Sequence, residues 1–103
     1  MKSVIRPAAR RDILNQFLYL IEQNVPHVAE RFIDAVDATI AKLTKRPRIG
    51  APKHLKDPRL HGLRSWPVSG FEAVRIYYLA SEDVLRVVRV LHGKRDIDRL
   101  LRP

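Results

Sequence analysis

The sequence predicts an α+β fold of order β-α-α-β-β-β, in which a helical hairpin packs on a largely antiparallel sheet. Three observations carry this expectation. Residues 8–43 hold two stretches of helical periodicity, residues 60–92 hold three strand-like runs joined by two tight turns, and a loop punctuated by Pro and Gly lies between the two halves. At 103 residues the chain is expected to form one domain, which would bury roughly 65% of its unfolded surface.

Lys2–Arg6 is short and partly β-branched and reads as a strand stopped by Pro7, a residue suited to the first turn of a helix. From Ala8 to Asn24 one apolar row is Ile13, Phe17 and Leu20, and the neighbouring row is Leu14, Leu18 and Ile21. Pro26 opens a second helix, along which Ala29, Phe32, Ile33, Val36, Ile40 and Leu43 form one stripe. These rows read as core. Thr44–Arg59 breaks the periodicity with Pro47, Gly50, Pro52 and Pro58. The same loop carries Lys45, Arg46, Arg48, Lys53, Lys56 and Arg59 against Asp57 alone. The following strands are expected to end near Trp66–Val68, to run over Phe71–Leu79 and to run over Val84–His92. Ser69-Gly70 and Ser81-Glu82-Asp83 supply the turns.

Strict alternation in the last strand puts Val84, Arg86, Val88, Val90 and His92 on one face and Leu85, Val87, Arg89 and Leu91 on the other. Both faces are largely apolar, as are those of the middle strand, yet two helices cover only one face of a sheet. The rest of the chain offers only Lys94–Arg102, a short terminal helix or tail, as further cover. An open apolar sheet face is therefore expected, of the kind that receives a partner.

The net charge of +9 is unevenly placed. Residues 1–44 hold six Lys/Arg against five Asp/Glu, and residues 45–103 hold fourteen against six. Such a field favours an anionic partner, whether nucleic acid, an acidic protein segment or a membrane surface, or else serves solubility. With no cysteine, disulfides and thiolate metal sites are excluded and a reducing cytoplasm is the expected setting. The longest apolar run, Phe17–Ile21, is too short to span a membrane.

Familiar catalytic constellations are missing. His27, His54, His61 and His92 lack metal-ligand spacing, so no metal or cofactor is expected. Gly93-Lys94 lacks the upstream glycine of a phosphate-binding loop, and no serine sits in a nucleophile elbow. Carboxylates are too sparse in the basic half for a two-metal nuclease. What remains is arginine on the strands and the turn after them, at Arg64, Arg75, Arg86, Arg89 and Arg95. These side chains suit phosphate, or the carboxylates of an acidic partner helix.

The run Leu60-His61-Gly62-Leu63-Arg64-Ser65-Trp66-Pro67-Val68-Ser69-Gly70-Phe71, then Val74-Arg75-Ile76-Tyr77-Tyr78, then Val87-Val88-Arg89-Val90-Leu91-His92-Gly93-Lys94-Arg95-Asp96-Ile97, resembles the ParE branch of the RelE/ParE toxin superfamily. Ala8–Ile13 and the Lys45–Gly50 junction resemble it too. The resemblance implies the toxin of a type II toxin–antitoxin module, with no membrane partner. Such a toxin is held inactive by a ParD-like antitoxin and acts on DNA gyrase, meeting DNA only through gyrase or through the antitoxin complex. RelE-type relatives instead cut mRNA on the ribosome.

For that nuclease alternative, Arg95 and His92 are the candidate residues. The stretch after Arg95 carries Leu100 and Leu101 where the nuclease branch has an aromatic group, which leaves proton transfer without an evident agent. A non-enzymatic gyrase inhibitor is therefore expected, and a decayed toxin that only binds antitoxin is a third reading. The open sheet face, with anchors among Trp66, Phe71, Arg75 and Tyr77, is the expected antitoxin site. Arg64, Arg89, Lys94 and Arg95 are the expected target contacts.

Overall fold

The structure is a computed structural model and describes residues 1–93. Lys2–Ile5 forms β1 and Pro7–Glu22 forms α1, with Pro7 in the first turn. α1 ends where Asn24 takes a left-handed backbone (φ 60°), a conformation that Asn tolerates better than most residues. The Asn24 N–H bonds the Ile21 carbonyl, and the Val25 N–H bonds that of Leu20. α2 spans Pro26–Lys45, β2 is the two-residue strand Ala51–Pro52, and Pro58–Leu60 makes one 3₁₀ turn. β3 (Arg64–Val68), β4 (Phe71–Ala80) and β5 (Val84–His92) follow.

The five strands lie in the order β1-β5-β4-β3-β2. β1 pairs with β5 in parallel, from Lys2 opposite Val84 to Ile5 opposite Val87, and every other pairing is antiparallel. The expected element order therefore holds, extended by β2. The terminal helix expected within Lys94–Arg102 lies outside the described residues.

Both helices cover one face of the sheet. Ala9 of α1 and Phe32, Val36, Ile40 and Leu43 of α2 meet Val68, Val74, Ile76, Tyr78, Leu85, Val87 and Val90 in one buried cluster. The stripe expected on α2 is buried as predicted, apart from the half-buried Ile33. On α1 only one of the two rows serves the core. Ile13 and Leu20 pack inward, whereas Leu14, Leu18 and Ile21 are exposed. The helix sits over β5 at one angle, and a row one position round falls outside that contact.

Two further expectations need correction. Strict alternation fails in β5, because the pairing slips between Tyr77 and Tyr78: Tyr77 lies opposite Arg89, but Tyr78 lies opposite Val87. Val88 is the extra residue of a β-bulge, which reverses the face assignment beyond it. Val90 thus joins Leu85 and Val87 under the helices, while Val88 and Leu91 point to the other side. That second face is not left open either. The segment between β2 and β3 folds over it, so that Leu60 and Leu63, with Leu55 at the margin, bury Tyr77, Val88 and Leu91. Tyr77 is only 3% exposed.

Candidate functional site

Several polar side chains of the kind that carry chemistry hold elements together instead. Asp12 of α1 receives Arg89 of β5 at two points. Nε lies 2.7 Å from Oδ2 and Nη2 lies 2.9 Å from Oδ1. The same Oδ2 accepts the backbone N–H of Val90 at 3.0 Å, just past the bulge. A bidentate pair with one backbone donor added fixes α1 on the sheet, and the carboxylate holds the Arg89 guanidinium above its ordinary pKa. Arg75 donates through Nε and Nη2 to the hydroxyl of the buried Ser65 across the β3–β4 pair, at 3.1 and 3.0 Å.

Tyr78 is buried completely. Its hydroxyl donates to the Pro47 carbonyl at 2.7 Å and accepts the Gly50 N–H at 3.0 Å. Arg64 completes this clasp, with Nη1 donating to the carbonyls of Gly50 (2.8 Å) and Arg48 (3.2 Å). Gly50 is required by close approach, since a Cβ there would overlap the Tyr78 hydroxyl. Thr39 Oγ1 donates to the Ala35 carbonyl and accepts the Ser69 N–H, tying α2 to the β3–β4 turn.

The residues expected to anchor a partner do not form one surface. Trp66 and Phe71 lie on the helical side. Lys42 Nζ stands 5.3 Å from the Trp66 ring centroid, and Phe71 meets Phe32 edge-on at 5.3 Å between centroids. Tyr77 points to the opposite side, into the cluster beneath the β2–β3 segment. Arg64 and Arg89, expected as target contacts, are engaged in the bonds given above. His92 is exposed at the end of β5, whereas Lys94 and Arg95 lie outside the described residues.

Exposed apolar surface lies elsewhere. Leu14 (53%), Leu18 (45%) and Ile21 (39%) share one exposed side of α1, and Tyr19 (53%) is exposed about 100° round from Leu18. Beside them runs a groove of about 410 Å³, lined by Ile5, Ile13, Leu14, Phe17, Ile33 and Val36, with Arg10 and Asp37 also on its walls. The periodicity of α1 already contained this feature, because it carries two apolar rows where one suffices for a core-facing helix. A second surface is polar and basic. Two clefts of about 370 and 570 Å³ share Gly62 and Arg64. The first is completed by Lys53, His54 and His61, and the second by Arg48, Ser81 and Glu82 among others. Among the described residues no His, Asp and Glu cluster could hold a metal ion.

The described residues thus form a two-helix layer on a five-stranded sheet, with the polar groups above in structural bonds and an apolar row of α1 exposed. The sequence matches the model of the ParE toxin of the type II toxin–antitoxin system parDE over residues 4–97, so the chain belongs to the ParE toxin family. A solved structure described as the chromosomal ParDE TA system from P. aeruginosa shares the fold, with a TM-score of 0.73. The two chains are 13% identical, and the alignment covers 91% of this chain and 97% of the other. No curated protein sequence matches. Among the described residues no helix is long and apolar enough to cross a membrane.

Proposed function

We propose that this ParE-type toxin acts in the cytoplasm by binding DNA gyrase, without catalysis of its own. We further propose that a ParD-like antitoxin holds it inactive by docking on α1. The family match over residues 4–97 carries this reading. The bonding of the polar groups supports a binding role, because Asp12, Arg64, Arg75, Tyr78 and Arg89 all serve the fold. In a supercoiling assay the purified chain should block gyrase at stoichiometric amounts. Full supercoiling with the toxin in excess over gyrase would overturn the gyrase assignment.

The proposed antitoxin segment is an amphipathic helix with acidic flanks. Its apolar face would cover Leu14, Leu18 and Ile21, and its acidic flank would meet Arg10, which lines the groove, and Arg11, which is exposed next to it. Trp66 and Phe71, half-exposed on the same side of the sheet, would extend this contact. Arg75 and Tyr77 contribute to the sheet itself in this proposal. Target contact falls to the exposed cations of the basic half, with Arg64 as their fixed centre.

A further inference from the structure

We propose that the basic tract of residues 45–64 binds the phosphate backbone of duplex DNA directly, so that the toxin grips the DNA as well as the gyrase that acts on it. This rests on the gyrase reading above and concerns the same basic surface around Arg64, which would meet the DNA that gyrase holds. The tract holds seven Lys/Arg and one Asp. That Asp is neutralised within the tract: Asp57 Oδ2 lies 2.9 Å from Arg59 Nη2, and Oδ1 accepts the Arg59 Nε–H at 3.1 Å. The other six cations, Lys45, Arg46, Arg48, Lys53, Lys56 and Arg64, have no carboxylate partner among the described residues. Glu82 is on the wall of the second cleft, whereas the first cleft is lined by Lys53, Arg64, His54 and His61 with no carboxylate.

The fold presents this charge on a fixed frame. Tyr78 and Arg64 bind the backbone at Pro47, Arg48 and Gly50, the Lys53 N–H bonds the Leu63 carbonyl at 2.8 Å, and Leu60 and Leu63 are buried beneath. Arg64 stands between the two clefts with its guanidinium oriented by two carbonyls. Cations on an ordered backbone lose less freedom on meeting an anion than cations on a free tail.

The kind of anion follows from what accompanies the charge. Protein partners are held chiefly by apolar and aromatic anchors. Here the tract's leucines are turned inward, and residues 45–64 contain no Phe, Tyr or Trp. Without Phe, Tyr or Trp, only the imidazoles of His54 and His61 could stack on unpaired bases, a poor set beside the large aromatic platforms that single-strand binders rely on. Charge without anchors or stacking fits phosphates on a duplex, held without regard to sequence.

The test is fluorescence anisotropy of a labelled 25-base-pair duplex with the purified full chain, in the absence of gyrase. If all six cations engage phosphates, affinity should fall about two thousandfold between 50 and 200 mM salt, because log K drops by about 0.9 per phosphate for each decade of salt. A triple variant, Arg48→Gln/Lys53→Gln/Lys56→Gln, leaves three contacts, and its affinity should fall only about fortyfold over the same range. Arg31→Gln, exposed near the start of α2 on the opposite face of the sheet, should bind as the parent does. Circular dichroism and thermal melting confirm that each variant is folded. If the triple variant fails to fold, Lys56→Gln alone, which should remove about one unit of slope, replaces it.

No duplex binding at 50 mM salt would overturn the proposal. So would equal salt slopes for the parent and the variant, or tighter binding to polyglutamate than to the duplex. Gyrase inhibition is scored separately, so a toxin that blocks gyrase without binding free duplex refutes this inference and leaves the gyrase reading standing.

Discussion

The clasp between Tyr78 and Gly50 gives the sharpest prediction about the fold. Replacing Tyr78 by Phe keeps the ring in the core but removes an oxygen that makes two hydrogen bonds, to Pro47 and to Gly50. The Pro47 carbonyl is half-buried and can turn to water, whereas the buried Gly50 N–H is left without a partner. A stranded buried donor costs about 1–3 kcal/mol, so Tyr78→Phe should destabilise by about 2 kcal/mol. In a chain of this size that lowers Tm by about 8–16 °C.

Gly50→Ala attacks the same contact from the other side. Its Cβ would overlap the hydroxyl and stand 2.8 and 2.9 Å from Cε1 and Cζ of a ring with no room to withdraw. Overpacking of this kind costs about 2–3 kcal/mol. In the double variant the hydroxyl is gone and the ring carbons remain, so the two costs should fall short of their sum by about 1 kcal/mol. Urea denaturation of the parent, both single variants and the double variant measures this coupling. Additivity within about 0.3 kcal/mol would show that ring and loop do not confine one another, and the close-approach account of Gly50 would fail.

Three further predictions follow from the same contacts. Asp12→Ala removes the carboxylate that serves both Arg89 and the Val90 N–H, and should cost about 2–4 kcal/mol in urea denaturation. A loss below about 0.5 kcal/mol would mean that α1 is held by its apolar row alone. Leu14→Glu and Leu18→Glu, on the exposed face of α1, should leave stability within about 0.5 kcal/mol of the parent. Each should nevertheless weaken antitoxin binding in calorimetry by tenfold or more, about 1.4 kcal/mol, and unchanged affinity would remove α1 from the interface. Burial pushes the Tyr77 and Tyr78 hydroxyls above their ordinary pKa of 10.0. The unfolded chain therefore releases these protons first as pH rises. Their contribution to stability is complete below about pH 10 and is lost as pH climbs from there through the folded values. Tm measured from pH 8 to 11 should fall at the alkaline end, less steeply in Tyr78→Phe, and identical profiles would contradict this.

The element order was legible in the sequence because periodicity and turn chemistry are local. Val84–His92 was bounded correctly, and the α2 stripe from Ala29 to Leu43 is the core it was expected to be. What escaped was non-local. Nothing in the alternation of β5 marks Val88 as the extra residue of a bulge, yet that residue decides that Val90 faces the helices and Leu91 the opposite side. Leu55 falls in the loop expected over Thr44–Arg59, and Leu60 and Leu63 fall at the start of the stretch expected to hold the first strand-like run, so nothing local marks the three as one patch. In the fold they cover the sheet face expected to receive a partner.

The covered sheet face moves the candidate interface to α1. Once the sheet face is covered, the surplus apolar surface is the second row of α1, which periodicity displays but does not distinguish from a core row. A helix with two apolar rows, packed on a sheet wide enough for only one, must expose the other or bury it in a partner. The exposure of Leu14, Leu18 and Ile21 beside a groove lined by Ile13, Phe17 and Val36 is why α1, and not the sheet, is where an antitoxin should be sought.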